Sequence, residues 1–130
     1  MIGIDTNVLI RYVMQDDAAQ AARANELIDQ LTESRPGYVT SIVLAEMHWV
    51  LRRGYKIDKA SVTAVFQGLL DSKEIVIEQA DTVRRALRRV GDGADFADAL
   101  IVELGRDAGC EHTVTFDQNA AKTASIRLLE

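Results

Sequence analysis

One cysteine, Cys110, is all the thiol chemistry this chain has, so it holds no internal disulfide and no multi-cysteine zinc site. A lone thiol suits the reducing cytoplasm. No apolar run approaches the roughly 20 residues that span a bilayer, and a membrane is not expected among its partners. The first residues run straight into a strand pattern with no basic n-region, so no secretory leader is expected. Histidine is also scarce. His48 and His112 are not spaced as a metal motif, and neither sits in a Ser-His-Asp or Cys-His setting. Gly91-Asp92-Gly93 is a turn, not a phosphate-binding fingerprint. Positive charge is outnumbered, giving a net charge of −5. That weighs against a protein holding nucleic acid by bulk basicity, though not against a nuclease whose acids bind metal.

What is present is an ordinary globular composition, 48% hydrophobic and 27% charged over 130 residues, read as one domain across 1–130. Short apolar runs alternate with amphipathic segments. Strands are expected at 2–5, 38–40, 75–77, 112–115 and 126–128. Helices are expected over about 7–14, 17–32, 41–53, 58–70, 80–90, 95–108 and 118–122. Arg35-Pro36-Gly37, Gly54 and Gly109 punctuate them. Strands alternating with helices imply right-handed crossovers and a mainly parallel sheet covered on both faces.

Four acids stand in apolar surroundings. Asp5 ends the Ile2-Gly3-Ile4 run, where burial is costly unless its charge is compensated, and where open α/β sheets bind ligands. A plain helix N-cap would also explain it. Asp117 repeats that setting after Val114-Thr115-Phe116. Glu46 has Ile42, Val43, Trp49 and Val50 as its helical neighbours, a face that reads as buried, although a helix-edge Glu reaching water is the plainer alternative. Asp98 shares a face with Asp95, Ile101 and Val102, and both acids would also suit a helix start. Four carboxylates at one sheet edge would repel at low dielectric. A hard divalent cation, Mg²⁺ or Mn²⁺, resolves that conflict. The chemistry implied is metal-assisted phosphodiester hydrolysis.

The chain resembles the PIN-domain proteins, specifically the VapC-type toxin ribonucleases, over nearly its whole length. The likeness rests on Asp5-Thr6-Asn7, on Thr40-Ser41 through Leu44-Ala45-Glu46, on Asp95-Phe96-Ala97-Asp98-Ala99-Leu100-Ile101, and on Thr115-Phe116-Asp117. It implies a Rossmann-like three-layer α/β/α PIN domain with a central, mainly parallel sheet of four to five strands. It also implies Mg²⁺- or Mn²⁺-dependent cleavage of RNA and a cognate VapB-type antitoxin. Carried over by position, Asp5, Glu46, Asp98 and Asp117 form the acidic quartet. Asp5 and Asp98 are the direct metal ligands, with Glu46 and Asp117 as further or water-mediated ones. Asp95, Thr6, Asn7 and Ser41 are supports around them, with capping and turn hydrogen bonds as the alternative.

Other signals carry less. Arg84, Arg85, Arg88 and Arg89 span about 140° of an ideal helix; a solvated face is the default, RNA phosphates or an acidic partner the alternatives. Trp49 and Cys110 are expected to pack rather than to react or stack. A homodimer is expected, and Phe66, Leu69 and Leu70 would suit its face, though a core explains them equally well. A haloacid-dehalogenase-like phosphohydrolase would use Asp5 as nucleophile but wants an Asp where Asn7 stands. A phospho-receiver wants a phosphoacceptor Asp after the third strand, where the chain has Glu78-Gln79-Ala80.

Overall fold

A computed structural model describes residues 1–130, which form two compact units, Met1–Glu78 and Gln79–Glu130.

The first unit runs β1 (Ile2–Gly3), α1 (Thr6–Met14), α2 (Ala18–Asp29), β2 (Gly37–Val39), α3 (Ser41–Trp49), a π-helical turn (Val50–Gly54), α4 (Lys59–Asp71) and β3 (Ile75–Ile77). The strands form a parallel sheet in the order β1-β2-β3, with Ile2 opposite Gly37 and Gly37 opposite Ile75. Crossover helices are what parallel neighbours require, and the sequence supplies a cap for each. Asp17 accepts from the Gln20 amide at 3.0 Å, Thr40 from Val43 at 3.3 Å and Asp58 from Ser61 at 3.2 Å. The core gathers Leu9, Val39, Leu44, Met47, Val62 and Phe66, none more than 1% exposed. Each such side chain contributes about 1.5–3 kcal/mol by leaving water. Gly37 is required by closeness: a Cβ there would collide with Ile4 Cδ1 and come within 3.0 Å of Leu31 Cδ1.

The second unit runs α5 (Ala80–Gly91), α6 (Phe96–Asp107), β4 (Val114–Thr115), α7 (Gln118–Ala124) and β5 (Arg127–Leu128). β4 and β5 pair in parallel, Val114 opposite Arg127. α5 and α6 pack together through Val83, Ala86, Val90, Phe96 and Ala99. Gly93, at φ +110°, makes the turn between them, a conformation open to glycine.

The α/β class with parallel strands is as expected, and all five strands are present, hydrogen-bonded as a set of three and a pair. Phe66 and Leu69 are core side chains, 1% and 7% exposed. No helix is long and apolar enough to cross a membrane.

Candidate active site

In the first unit, each strand of the sheet ends in a polar group at the same edge. β1 leads to Asp5, β2 to Thr40-Ser41 and β3 to Glu78. Asp5 leaves the strand with φ −81° and ψ 161° and caps α1, its Oδ1 accepting from the Thr6 amide at 2.8 Å. The cap engages one carboxylate oxygen. Thr6 Oγ1 then donates to Glu46 Oε1 at 2.8 Å, tying the start of α1 to the middle of α3. Glu78 accepts from the Ser41 amide at 2.8 Å, while Ser41 Oγ is buried with no hydrogen-bond partner.

Asp5, Thr6, Asn7 and Glu46 line one pocket of about 340 Å³, together with Arg11 and Tyr55. Sequence reading missed the last two. Arg11 is held by Gln20 Oε1 at 2.7 Å and by the Tyr55 hydroxyl at 3.1 Å, with Asp16 3.3 Å away. Tyr55 in turn donates to Asp16 at 2.6 Å. That hydrogen bond is the main reason Asp16 lies below the usual carboxylate range and Tyr55 above the usual phenol range. Tyr55 follows the π turn, where its own amide bonds back five residues to the Val50 carbonyl at 3.1 Å. Forty-four residues separate Arg11 from Tyr55, so no spacing in the sequence announces the pair. The one available signal was a lone cation, Arg11, directly after Val8-Leu9-Ile10.

In the second unit, Asp95 caps α6, accepting from the Asp98 amide at 3.3 Å. Asp117 caps α7, accepting from Asn119 at 2.8 Å and Ala120 at 3.0 Å. Asp98 is half-buried in the first turn of α6. Burial pushes its carboxyl above the usual range, and the charges of Asp95 and Asp117 add to the shift. Asp98 therefore feels both neighbouring acids.

Several expectations are corrected. Glu46 does not lie on a buried face: it is exposed, with Ile42 73% and Trp49 62% exposed beside it. The buried side of α3 is instead Val43, Leu44, Met47 and His48, and His48 meets Phe66 edge-on at 5.8 Å. Trp49 does not pack in the core, and Cys110 is exposed. Asp5, Asp95 and Asp117 are themselves exposed, so water offsets part of their charge. The arginine stripe of α5 is not a uniform solvated face. Arg85 and Arg89 reach across to Glu103 of α6 at 2.9 and 2.6 Å, and Glu103 is only 2% exposed. Burial would raise the Glu103 carboxyl, but hydrogen bonds from Arg89 and Arg85 outweigh it and hold it low.

The donor set suits a hard cation. Asp5 and Glu46 in one unit, and Asp95, Asp98 and Asp117 in the other, offer carboxylate oxygens and no soft ligand. Within neither unit do three or more such side chains gather as a metal cage. Mg²⁺ asks for less, being held by one or two carboxylates with waters and substrate phosphate completing its shell. The orphaned Ser41 Oγ is a further oxygen at the same sheet edge.

Among curated proteins the chain has no match. The PIN domain family model, however, matches residues 2–126, taking in every acid of the candidate site. With its parallel strands, crossover helices and strand-tip carboxylates, the chain belongs to the PIN-domain family, whose fold is of the nuclease type.

Proposed function

We propose that this protein is a Mg²⁺- or Mn²⁺-dependent endoribonuclease of the VapC type, hydrolysing RNA phosphodiester bonds as the toxin of a toxin–antitoxin pair. The observation that carries this reading is the pocket in which Asp5 and Glu46 meet, with Glu46 fixed by the Thr6 hydroxyl at 2.8 Å, in a PIN-family chain. Asp5 and Asp98 are assigned as direct metal ligands, and Glu46 and Asp117 as further or water-mediated ones. Thr6, Asn7, Ser41 and Asp95 are their supports. A bound divalent ion would lower the pKa of the attacking water and offset charge on the leaving oxygen. In this reading Glu46 takes a proton on Oε2, its Oε1 being the oxygen that accepts from the Thr6 hydroxyl. Arg11, braced by Gln20 and Tyr55, gives the pocket a cation that favours a phosphate. Under this reading residues 1–130 act as one PIN domain in the cytoplasm, as a homodimer, with a VapB-type antitoxin as partner.

The test is cleavage of structured RNAs by the purified protein with and without Mg²⁺ or Mn²⁺. Asp5→Asn and Asp98→Asn are each expected to lower the rate by about 100-fold or more, the scale of losing one electrostatic stabiliser, while circular dichroism stays unchanged. Equal cleavage by wild type and both variants would sink the assigned site.

A further inference from the structure

Arg11 is the one cation lining the pocket of Asp5 and Glu46, and it pairs with neither acid. A cation present only to offset those carboxylates would sit against them, where attraction is strongest. Other groups hold this guanidinium instead. Its Nε donates to Gln20 Oε1 at 2.7 Å, and Nη1 donates to the Tyr55 hydroxyl at 3.1 Å and to Asp16 Oδ1 at 3.3 Å. Tyr55 closes the ring by donating to Asp16 Oδ2 at 2.6 Å. Nη2 makes no hydrogen bond, so one edge of the planar fork stays open. Both groups that meet Nη1 come from unusual backbone. Asp16 follows Gln15 at φ 54°, and Tyr55 precedes Lys56 at φ 57°, left-handed conformations adopted here without glycine. The π turn Val50–Gly54 comes immediately before Tyr55. Costly backbone in two segments that converge on one side chain is characteristic of functional sites.

We infer that Arg11 is a catalytic residue whose open guanidinium edge binds a non-bridging oxygen of the cleaved phosphodiester, and that Tyr55 and Asp16 are positioning residues that set its aim. The inference rests on the nuclease reading above, which makes the group held between Asp5 and Glu46 a phosphodiester. Negative charge on the phosphoryl oxygens must be met during displacement, and a donor already fixed in place needs no reorganisation to meet it. The ion pair with Asp16 does not cancel the cation. Its side chains are 31% and 39% exposed, and water screens such a pair to a weak interaction. Lysine could not replace Arg11, because a single ammonium has no rigid fork to bond three partners on one side and a phosphate on the other.

The experiment is a double-mutant cycle on the full chain, with RNA cleavage in Mg²⁺ measured for wild type, Arg11→Gln, Tyr55→Phe and both together. Arg11→Gln is expected to lower kcat by about 100-fold, and Arg11→Lys to recover little of it. Tyr55→Phe should lower kcat by about 10-fold, the scale of one hydrogen bond to a charged group. Added to Arg11→Gln it should cost nothing further, because a positioning residue acts only through the group it positions. A Tyr55 that merely held the fold would slow both backgrounds equally. In chelator, anisotropy of a labelled RNA supplies a readout independent of cleavage. There Arg11→Gln should bind with a log K against log salt slope shallower by about 0.7–0.9, one phosphate contact fewer. Unchanged kcat or salt slope in Arg11→Gln, or additive losses in the double variant, would overturn the inference and leave the nuclease reading standing. Faster cleavage by Asp16→Asn would also overturn it, since that carboxylate would then be competing with substrate for the guanidinium. No metal-dependent cleavage by wild type would remove the nuclease reading and the inference with it. If Tyr55→Phe does not fold, Asp16→Asn, at an exposed position, takes its place in the cycle. It should slow cleavage in the wild-type background and have no effect in Arg11→Gln.

Discussion

Asp5, Asp95 and Asp117 each satisfy free amides at a helix start, and each keeps carboxylate oxygen to spare. Capping and metal binding are thus compatible at one residue, which is why a choice between them could not be made from sequence. Asp98 differs, because its side chain caps nothing and its carboxyl is pushed up by burial and by Asp95 and Asp117. The folded chain therefore holds that proton to higher pH than the unfolded chain does. Such a group costs stability as pH rises through its raised pKa, and the cost is absent below the unfolded pKa. Asp98→Asn removes the charge. In chelator at neutral pH its Tm should exceed that of wild type, and the gap should close as the pH is lowered through the carboxylate range. A lower Tm for Asp98→Asn at neutral pH would contradict the assigned shift. Such a gain would fit the proposed role of Asp98, given the common opposition between activity and stability.

Among the elements, α5 and α6 are joined by more than apolar packing. Glu103 receives Arg85 at 2.9 Å and Arg89 at 2.6 Å, Arg106 lies 3.7 Å away, and Asp107 binds both Arg85 and Thr82. Glu103→Gln should destabilise the protein by about 2–3 kcal/mol in chemical denaturation at neutral pH. That is less than the ~3–5 kcal/mol for breaking a fully buried pair, because the Arg85 and Arg89 side chains stay 36% and 24% exposed and can rehydrate. The Glu103 carboxyl is lowered on folding, so its contribution is complete above the unfolded pKa and fades as pH falls through the folded one. The difference between wild type and Glu103→Gln should shrink in acid; a difference independent of pH would argue against the ion pairs. This network was illegible in sequence because an arginine stripe looks the same whether it meets water or a carboxylate from another helix. Element boundaries were more readable. Caps and apolar periodicity located all seven helices, and 75–77 is β3 as expected. The 41–53 helix changes to a π turn at Val50, since a shift from four- to five-residue hydrogen bonding leaves no mark on composition.

For the whole molecule, metal binding is a statement about stability as well as rate. A ligand held by the folded state alone adds about 1.4 kcal/mol at ten times its Kd. Mg²⁺ or Mn²⁺ should accordingly raise the wild-type Tm in a concentration-dependent way, chelator should reverse it, and Asp5→Asn and Asp98→Asn should each lose most of the gain. A wild-type Tm indifferent to both ions would remove the metal from the proposed function. The chain is built as two compact units, yet one PIN domain match runs through both, so the pattern of acids along the sequence identified the family where neither unit carries the full set. The sequence by itself determined the class of fold and the order of elements, because periodicity, capping and strand-tip position are local properties of the chain. Tertiary structure alone decided that Arg11 and Tyr55 share the pocket of Asp5 and Glu46, that Arg85 and Arg89 are spent on Glu103, and that Trp49 faces solvent. Each of those outcomes depends on which helix face meets another element, and that pairing is fixed by packing between residues far apart in the chain.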